Sequence, residues 1–530
     1  MRPFLERPGR YLPAAVGLAL PLLFIPFAVD SYILPRASVV VAGACLGVGL
    51  WLTTSGGAGL GALRLPLLAA AAATLLAFAT STNWAASLAG AYTRYESLPV
   101  RLGYLGLLAA PVWLLRKESD RDRLVAAFVL GSVIAGLEAI AQWFLLNVAQ
   151  TIDYRPDGNL GNANLLGALI AMAMPLAIVR ALRNDMFVVA WWGAVAVLVA
   201  GLAASTSRSG ALGALAGCLV LVVFALRGRA AVISLLVAGG AVAVALVAIV
   251  ISPLGVLNDD PARSRIQLWP DAVRMIAARP LTGWGPDTTG LVFGRFLSAD
   301  WSPGVTFDRA HSGPLDIAAM LGVLGLAALT WVLVVWLRGV WRWRFTDSVA
   351  ALASACVGYT VWVAFNFDWA PATGAFWLLA GAAWSAVRSA EAAPVVEMRA
   401  TPPSWVTPAR SLAAIAFAAA LIGLAVLPVI ADVWYFQNRA DLAVRADPLQ
   451  SRYHWALGQE LIADGQTKAA AAEFRRAADL GETEPQLYVD LGDADAELGN
   501  RDQARRDYQR ALVIDPFYAP AKQRLAKLAT

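Results

Sequence analysis

Length, composition and charge exclude a soluble globular fold for most of this chain. Its 530 residues are 59% hydrophobic and only 15% charged, whereas soluble domains have about 45–50% apolar and about 25% charged residues. The formal charge of +5 is spread over many short loops, which argues against a nucleic-acid partner. Long apolar runs fill residues 1–435, and residues 438–530 are rich in Arg, Asp, Glu and Ala. A membrane domain followed by a soluble domain is therefore expected.

Thirteen segments have the roughly 20 mostly apolar residues that a membrane-spanning helix needs. They are residues 11–29, 37–53, 65–80, 98–115, 124–146, 164–182, 186–204, 209–226, 230–251, 314–337, 349–365, 370–387 and 411–431. The first is interpreted as a retained span, because no convincing small-residue cleavage site follows it. We predict an all-α, polytopic bundle of about 12–13 spans. Its parts are a membrane domain at 1–387, a linker at 388–410, a last span at 411–431 and a soluble helical domain at 432–530.

The basic residues of the short loops predict that the N-terminus is cytoplasmic, because Lys and Arg concentrate in inside loops. With this orientation, eighteen basic residues fall in inside loops and four in short outside loops. The four are Arg36, Arg94, Arg155 and Arg208. The long loop at about 252–313 is then expected outside. After thirteen spans the C-terminal domain is expected there too, although a miscount of one span would move it to the cytoplasm.

The outer loops hold the side chains that could carry chemistry. His311 directly precedes a predicted helix, because Ser312 can cap a helix and Pro314 suits its first turn. Its imidazole is expected at the boundary between water and membrane, where it either takes part in catalysis or only hydrogen-bonds a lipid headgroup. The candidate residues are Arg208, Arg265 and His311, with Arg263, Arg279 and Arg295 as secondary candidates.

The long loop contains a predicted helix followed by a turn. Residues Trp269–Ala278 are expected to form an amphipathic helix, with Trp269, Val273 and Ile276 on one side. The run Arg279–Pro286 contains two glycines that permit tight bends. The Trp and apolar content of the loop favours an ordered structure.

The tail contains an internal repeat with a period of 34 residues. Gly458, Gly465, Ala470, Phe474 and Ala477 recur as Gly492, Gly499, Ala504, Tyr508 and Ala511. This pattern resembles the tetratricopeptide repeat, which has two antiparallel helices per unit. The resemblance implies a protein partner rather than catalysis. A final capping helix is expected at Phe517–Thr530, and His454 is interpreted as structural.

Five runs of the outer loops resemble, in the family's order, motifs of bacterial O-antigen ligases and O-antigen polymerases. In chain order they are Asp30 with Pro35-Arg36, Asp157–Asn164, Ser207–Gly210, Arg265–Trp269 through Gly283–Gly285, and His311-Ser312 nine residues before Gly322–Gly325. Arg36 stands where the family more often has Lys, and Ser209 where Gly is commoner. The resemblance covers roughly residues 11–387.

This resemblance implies an enzyme that takes a glycan from undecaprenyl pyrophosphate and places it on an acceptor hydroxyl, without a metal or cofactor, on the outer face of a bacterial plasma membrane. It implies that Arg208 and Arg265 bind the pyrophosphate. His311 is expected to accept the hydroxyl proton in a displacement with inversion, or else to be a further phosphate ligand.

Several alternatives stay open at this point. The acceptor could be a glycan, a lipid or a protein, so ligase, polymerase and protein O-oligosaccharyltransferase are all compatible with the motifs. A transporter without chemistry is the alternative from another class. It is disfavoured because transporters place charges at mid-membrane on broken helices, and the spans here are poor in charge at their centres.

Overall fold

The computed structural model describes residues 9–53, 59–183, 186–225, 261–391 and 406–529. Within these ranges the chain is helical and contains no strand. The helices up to residue 391 are α1 (Leu12–Leu22), α2 (Ile33–Thr53), α3 (Arg64–Ala79), α4 (Trp84–Ala89), α5 (Leu98–Leu114), α6 (Glu118–Gln142), α7 (Ala163–Leu182), α8 (Val188–Ser205), α9 (Arg208–Ala225), α10 (Pro261–Ala278), α11 (Gly313–Arg342), α12 (Asp347–Ala364) and α13 (Ala370–Glu391). Short 3-10 helices lie at Gly61–Leu63, Thr289–Leu291 and Phe293–Phe296, and a π-helical segment at Trp143–Ala149 follows α6.

The remaining helices form the last span and the C-terminal domain. The last span consists of α14 (Val406–Leu421), a π-helical segment (Ile422–Val426) and α15 (Leu427–Phe436). The C-terminal helices are α16 (Ala440–Ala446), α17 (Ser451–Ala463), α18 (Thr467–Asp479), α19 (Pro485–Glu497), α20 (Arg501–Ile514) and α21 (Ala519–Ala529). Helix α13 and helix α14 both extend into the segment 388–410 that was predicted to be a linker.

Twelve of the thirteen predicted spans coincide with helices, and the other one, at 230–251, lies outside the described residues. Nine helices of the described part are long and apolar enough to cross a bilayer. The prediction for 11–29 is wrong in length, because α1 ends at Leu22 and Leu23 is extended. Its 11 residues rise about 17 Å, short of the roughly 30 Å hydrocarbon core. Helix α13 is not among the nine, and its residues Ala370–Val387 are all buried in the bundle.

The charged loops lie at two opposite ends of the bundle. At one end, Arg183 contacts Asp122 and Asp347, and Arg388 donates to the carbonyl of Gly59. These residues belong to loops that the charge pattern predicts to be inside. The loops with Arg94, Arg155, Arg208 and His311 lie at the other end, called below the outer end.

A break in α11 receives the turn Arg279–Gly285. Gly322 has φ 66° and ψ −173°, which are not helical values. At this break the nitrogen of Val323 donates to the carbonyl of Pro280 at 2.7 Å, and the nitrogen of Trp284 donates to the carbonyl of Ala319 at 2.9 Å. A Cβ at Gly322 would collide with the backbone of Leu281. The glycines of two separate motifs therefore allow two backbones to pair closely.

Arg36 joins the start of α2 to the glycine-asparagine loop after α6. Its side chain is fully buried. The guanidinium donates to the carbonyls of Leu20 at 2.8 Å, Tyr32 at 2.7 Å and Asn159 at 2.9 Å. Because these backbone carbonyls use its donors, Arg36 is a structural residue that fixes the first outer loop.

The tail forms two successive helix pairs that pack in the same way. In α17 and α18, Gly458 faces the ring of Phe474, and in α19 and α20, Gly492 faces the ring of Tyr508. The predicted final helix is confirmed as α21. His454 is buried, with its ring nitrogens 2.7 Å from Glu473 Oε2 and 3.1 Å from the carbonyl of Pro448. These contacts indicate a structural histidine.

The C-terminal helices pack directly on the outer end of the bundle. Asp432, at the end of the last span, accepts hydrogen bonds from the Asp30 nitrogen (2.8 Å), the Tyr92 hydroxyl (2.6 Å) and the Tyr453 hydroxyl (3.1 Å). The Thr306 hydroxyl in the long loop lies 3.3 Å from Asp515 Oδ2. The C-terminal domain and the loop that carries His311 therefore lie at the same end of the molecule.

Candidate active site

The C-terminal end of α12 is the point where several candidate residues meet. Arg265, on α10, donates from Nη1 to the carbonyl of Phe365 at 3.1 Å. Gly313, two residues after His311, packs against Val363. The ring of His311 contacts the ring of Phe367 edge to face, with centroids 5.1 Å apart. His311 and Arg265 are thus brought to one place from separate segments of the long loop.

The predicted helix Trp269–Ala278 is present but is longer and includes Arg265, and its buried stripe lies one residue away from the side with Trp269, Val273 and Ile276. Helix α10 begins at Pro261, earlier than the predicted Trp269. The fully buried residues are Leu268, Ala272 and Met275, and Val273 is 54% exposed. The buried stripe contacts the aromatic and alanine side chains around His311, which fixes the rotation of the helix. Sequence periodicity could not choose between two apolar stripes one residue apart.

His311 has an unusual backbone and a buried imidazole. Its φ is +53°, in the left-handed region that residues other than glycine rarely adopt. Its Nδ1 is buried and makes no hydrogen bond within the described part of the chain. Burial, followed by the charge of Arg265, lowers the pKa of His311 from 6.5 to about 3. The imidazole is therefore neutral at physiological pH, which is the form that can accept a proton.

The helix start after His311 is confirmed at Gly313, but its cap differs from the prediction. Ser312 occupies the cap position and its side chain makes no capping hydrogen bond. Asp316 instead reaches back and accepts from the nitrogen of Ala310 at 2.6 Å. The carboxylate therefore ties the segment before His311 to the first turn of α11.

Two arginines that the sequence analysis did not select stand beside His311. Arg309 lies over the ring of Phe367, with its guanidinium carbon 3.9 Å from the centroid, and its Nε is 3.4 Å from Asp308 Oδ1. Arg94 contacts Asp308 Oδ2 through Nη1 at 2.9 Å. Burial would raise the pKa of Asp308, but the charges of Arg94 and Arg309 outweigh it and the pKa is lowered. Arg94 also lies 3.9 Å from Asp287 Oδ1 through Nε. Two carboxylates therefore stand beside the two arginines next to His311.

A second ionic group lies deeper in the bundle. Arg101 bonds Asp368 Oδ2 through Nη1 at 2.6 Å, and its Nη2 is 3.2 Å from Glu96 Oε2. The Tyr359 hydroxyl donates to Asp368 at 3.1 Å. Glu96, Arg101 and Asp368 line a small cleft together with Arg94 and Arg309. Each buried charge here has an opposite partner, which offsets the cost of burying it. We interpret this group as structural support for the loops around His311.

Arg208 stands at the exposed start of α9, in a neighbouring set of contacts. Ser207 caps α9, accepting from the Gly210 nitrogen at 3.2 Å, and its hydroxyl contacts Asn164 Oδ1 at 3.2 Å. Helices α9 and α12 run antiparallel, with Gly213 beside the carbonyl of Gly358 and a second glycine contact one turn later. When this register is continued toward the start of α9, Arg208 is level with the end of α12. Arg265 donates to the Phe365 carbonyl at the same end of α12.

Two of the secondary candidates, Arg279 and Arg295, have other surroundings in the described part of the structure. Arg279 donates to the Thr82 hydroxyl at 3.1 Å and to the Thr80 carbonyl at 3.0 Å, and stacks over Trp284. It therefore holds the turn that enters the break in α11. Arg295 is exposed on the 3-10 segment Phe293–Phe296. Arg263 lies in α10, and its side chain is outside the described part.

Arg94 and Arg309 were missed although signals for them exist. Arg94 is one of only four basic residues in the short outer loops, and Arg309 is two residues from His311. The run Phe365–Trp369 also follows a span on the outer side and joins aromatic rings to an acid. In the described residues, no group of three or more His, Cys, Asp or Glu side chains is arranged to hold a metal ion.

Comparison with known protein families gives a match in the part of the chain that contains the candidate site. The family model described as O-antigen ligase matches residues 193–330, a stretch that includes Arg208, Arg265 and His311. No curated protein matches the chain. The match and the apolar helices together support a multi-pass membrane protein with a glycan-transfer function.

Proposed function

We propose that this protein transfers a glycan from undecaprenyl pyrophosphate to an acceptor hydroxyl on the outer face of the plasma membrane. The observation that carries the proposal is a buried, neutral His311 next to Arg265 and Arg309. Such a site combines a group that can take a proton with cations that can bind a diphosphate. The basic residues of the loops at the opposite end support an outward-facing site.

The arginines act on the leaving group. When the bond between the sugar carbon and the diphosphate oxygen breaks, negative charge develops on undecaprenyl pyrophosphate. Planar guanidinium groups bind phosphate oxygens with two hydrogen bonds and keep their charge at working pH. Arg265 is assigned to this role with Arg208, and Arg309 joins them because it is beside His311. Charge that develops against fixed donors is stabilised without rearrangement of the site.

His311 acts on the nucleophile. The acceptor oxygen attacks the sugar carbon from the side opposite the diphosphate, its proton passes to the imidazole, and the proton later leaves to water. The charge of Arg265 contributes to the low pKa of His311. A bound diphosphate would offset that positive charge, so donor binding is expected to raise the pKa and make His311 a stronger base when it is needed. One displacement inverts the configuration at the sugar carbon.

The C-terminal helix pairs suggest how an acceptor could be brought to the site. We interpret them as tetratricopeptide repeats, because the 34-residue period places glycines against aromatic rings in both pairs. They contact the loop of His311 at Thr306 and Asp515. A protein partner or a protein acceptor held by the repeats would therefore be next to the proposed site, which favours protein glycosylation as the second candidate function.

The test supplies the purified protein with an undecaprenyl-pyrophosphate oligosaccharide and candidate glycan, lipid and protein acceptors, in the presence of a chelator. The wild type is compared with His311→Ala and with His454→Gln, which changes the other of the two histidines. We expect transfer by the wild type and by His454→Gln, none by His311→Ala, and an inverted linkage by NMR. Equal transfer by His311→Ala would refute the assignment of the base, and retention of configuration would refute the single displacement.

A further inference from the structure

A second cavity lies at the junction of the last span, the bundle and the C-terminal domain. Its volume is about 250 Å³. The wall is formed by the start of α2, the end of α4, the start of α5, the π-helical segment Ile422–Val426 and the loop after α16. It shares no lining residue with the cleft formed by Arg94, Arg101 and Arg309. This cavity is therefore separate from the proposed active site.

Two polar groups of this wall lack a partner within the described part of the chain. The hydroxyls of Ser38 and Tyr95 are both buried, and neither makes a hydrogen bond there. Tyr95 is 4% exposed and has a positive φ of 52°. A buried hydroxyl without a partner is destabilising, and strained residues cluster at ligand sites. Both observations point to a ligand that offers an oxygen acceptor.

The last span is distorted where it borders the cavity. Gly423 and Leu424, which line the cavity, belong to the π-helical segment. Such segments are rare and are frequent at functional sites. Only 17% of the apolar window of this span is buried, so most of its surface faces the bilayer. Because the rest of the protein covers so little of this span, a lipid chain from the bilayer can reach the cavity beside it.

The residue types that line the cavity indicate which kind of ligand it can bind. Most lining residues are apolar, and none of them is Arg, Lys or His. The charged residue among them is Asp447, a carboxylate that would repel a phosphate. A pyrophosphate head, or the phosphate of a lipid headgroup, is therefore disfavoured inside the cavity. An apolar chain with an uncharged oxygen at its polar end fits, as in the ester region of a phospholipid or the hydroxyl of a polyprenol.

We propose that this cavity binds the ester-linked acyl chain of a bilayer phospholipid, with the ester oxygens accepting from Tyr95 and Ser38. The lipid fills the space between α2 and the last span. Pro448 and Tyr453 of the C-terminal domain also line the cavity. A bound lipid would thereby help to hold the C-terminal domain against the outer end of the bundle.

The experiment uses the full chain in phosphatidylethanolamine nanodiscs that contain a trace of the same lipid with a photoactivatable acyl chain. Crosslinks to the peptide around Leu424 and Leu427 are quantified by mass spectrometry. A parallel sample contains a photoactivatable, uncharged polyprenol. The cavity is altered by Gly423→Phe, because a Cβ at this position meets no atom within 4 Å, and by Tyr95→Phe. Gly193→Phe is the matched control, since Gly193 is also in a span with open space around it.

Phospholipid crosslinking in the wild type and in Gly193→Phe, its loss in Gly423→Phe and an about fivefold reduction in Tyr95→Phe would support the proposal. Crosslinking that is unchanged in both cavity variants would overturn it, as would no crosslinking to this peptide in the wild type. Stronger labelling by the polyprenol probe would overturn the assignment to a phospholipid. Tyr95→Phe keeps the test decisive if Gly423→Phe does not fold.

Discussion

The pKa of His311 can be tested directly, because its low value has two separable causes. Burial is the larger cause and the charge of Arg265 is the next. Arg265→Gln removes the charge and keeps an amide that can donate to the Phe365 carbonyl, which Arg265 now binds at 3.1 Å. We expect the pKa of His311 to rise in this variant but to stay below 6.5, because the imidazole is still buried.

At mildly acidic pH, the protonated fraction of His311 should differ greatly from that of a histidine in water. With a pKa of about 3, roughly 1% of His311 is protonated at pH 5. A solvated histidine with a pKa of about 6.5 is roughly 97% protonated at the same pH. The two situations differ by nearly two orders of magnitude in the protonated fraction.

Deuterium exchange at the imidazole Cε1 measures this fraction without a substrate. The purified protein is incubated in heavy water between pH 5 and pH 8, and the peptide with His311 is analysed by mass spectrometry. The same peptide, isolated and unfolded, serves as the reference and should titrate near pH 6.5. We expect no midpoint for His311 in the folded wild type over this range. In Arg265→Gln we expect protonation of His311 to become detectable at the acidic end of the range.

A midpoint between pH 6 and pH 7 in the folded wild type would refute the reasoning, because it would mean that His311 is exposed to water and not affected by the neighbouring cations. An unchanged titration in Arg265→Gln would refute the part of the argument that couples donor binding to the basicity of His311. The mechanism would then need another source of base strength.

Three further predictions concern binding, the helix break and domain docking. Arg265→Ala should raise the KM for the donor by roughly 10–100-fold, since one charge-assisted hydrogen bond contributes about 1.5–3 kcal/mol; an unchanged KM in donor titrations would assign the diphosphate to other residues. Gly322→Ala should lower thermal stability strongly or prevent folding, because its φ is 66° and Leu281 blocks the new Cβ, whereas Gly423→Ala has open space and should melt like the wild type. Asp432→Ala removes the acceptor of two tyrosine hydroxyls and of the Asp30 nitrogen. Limited proteolysis should therefore release the C-terminal domain faster than in the wild type. Equal resistance would show that the other contacts are sufficient to hold the domain on the bundle.

The local elements of this protein could be predicted from the sequence because they depend on short-range properties. Apolar runs of sufficient length predicted the helices that form the bundle, and the 34-residue period predicted the helix pairs of the tail. The start of α11 after Ser312 and the structural role of His454 also followed from residue type and position. The length of α1 did not, because the apolar composition of residues 23–29 resembles that of a span, while their backbone leaves the helix at Leu23 and continues as a turn.

The site itself was determined by tertiary structure. His311 and Arg265 are 46 positions apart in the sequence, and only the packing of α10 and α11 on the end of α12 brings them together. Packing also made Arg279 a structural residue and brought Arg309 and Arg94 beside His311. Sequence by itself predicted which residue types stand in the loops and which segments are helical, but not the end of α1 or the start of α10. The distances between the site residues, their burial and the low pKa of His311 arise from contacts between distant segments, which no local pattern encodes.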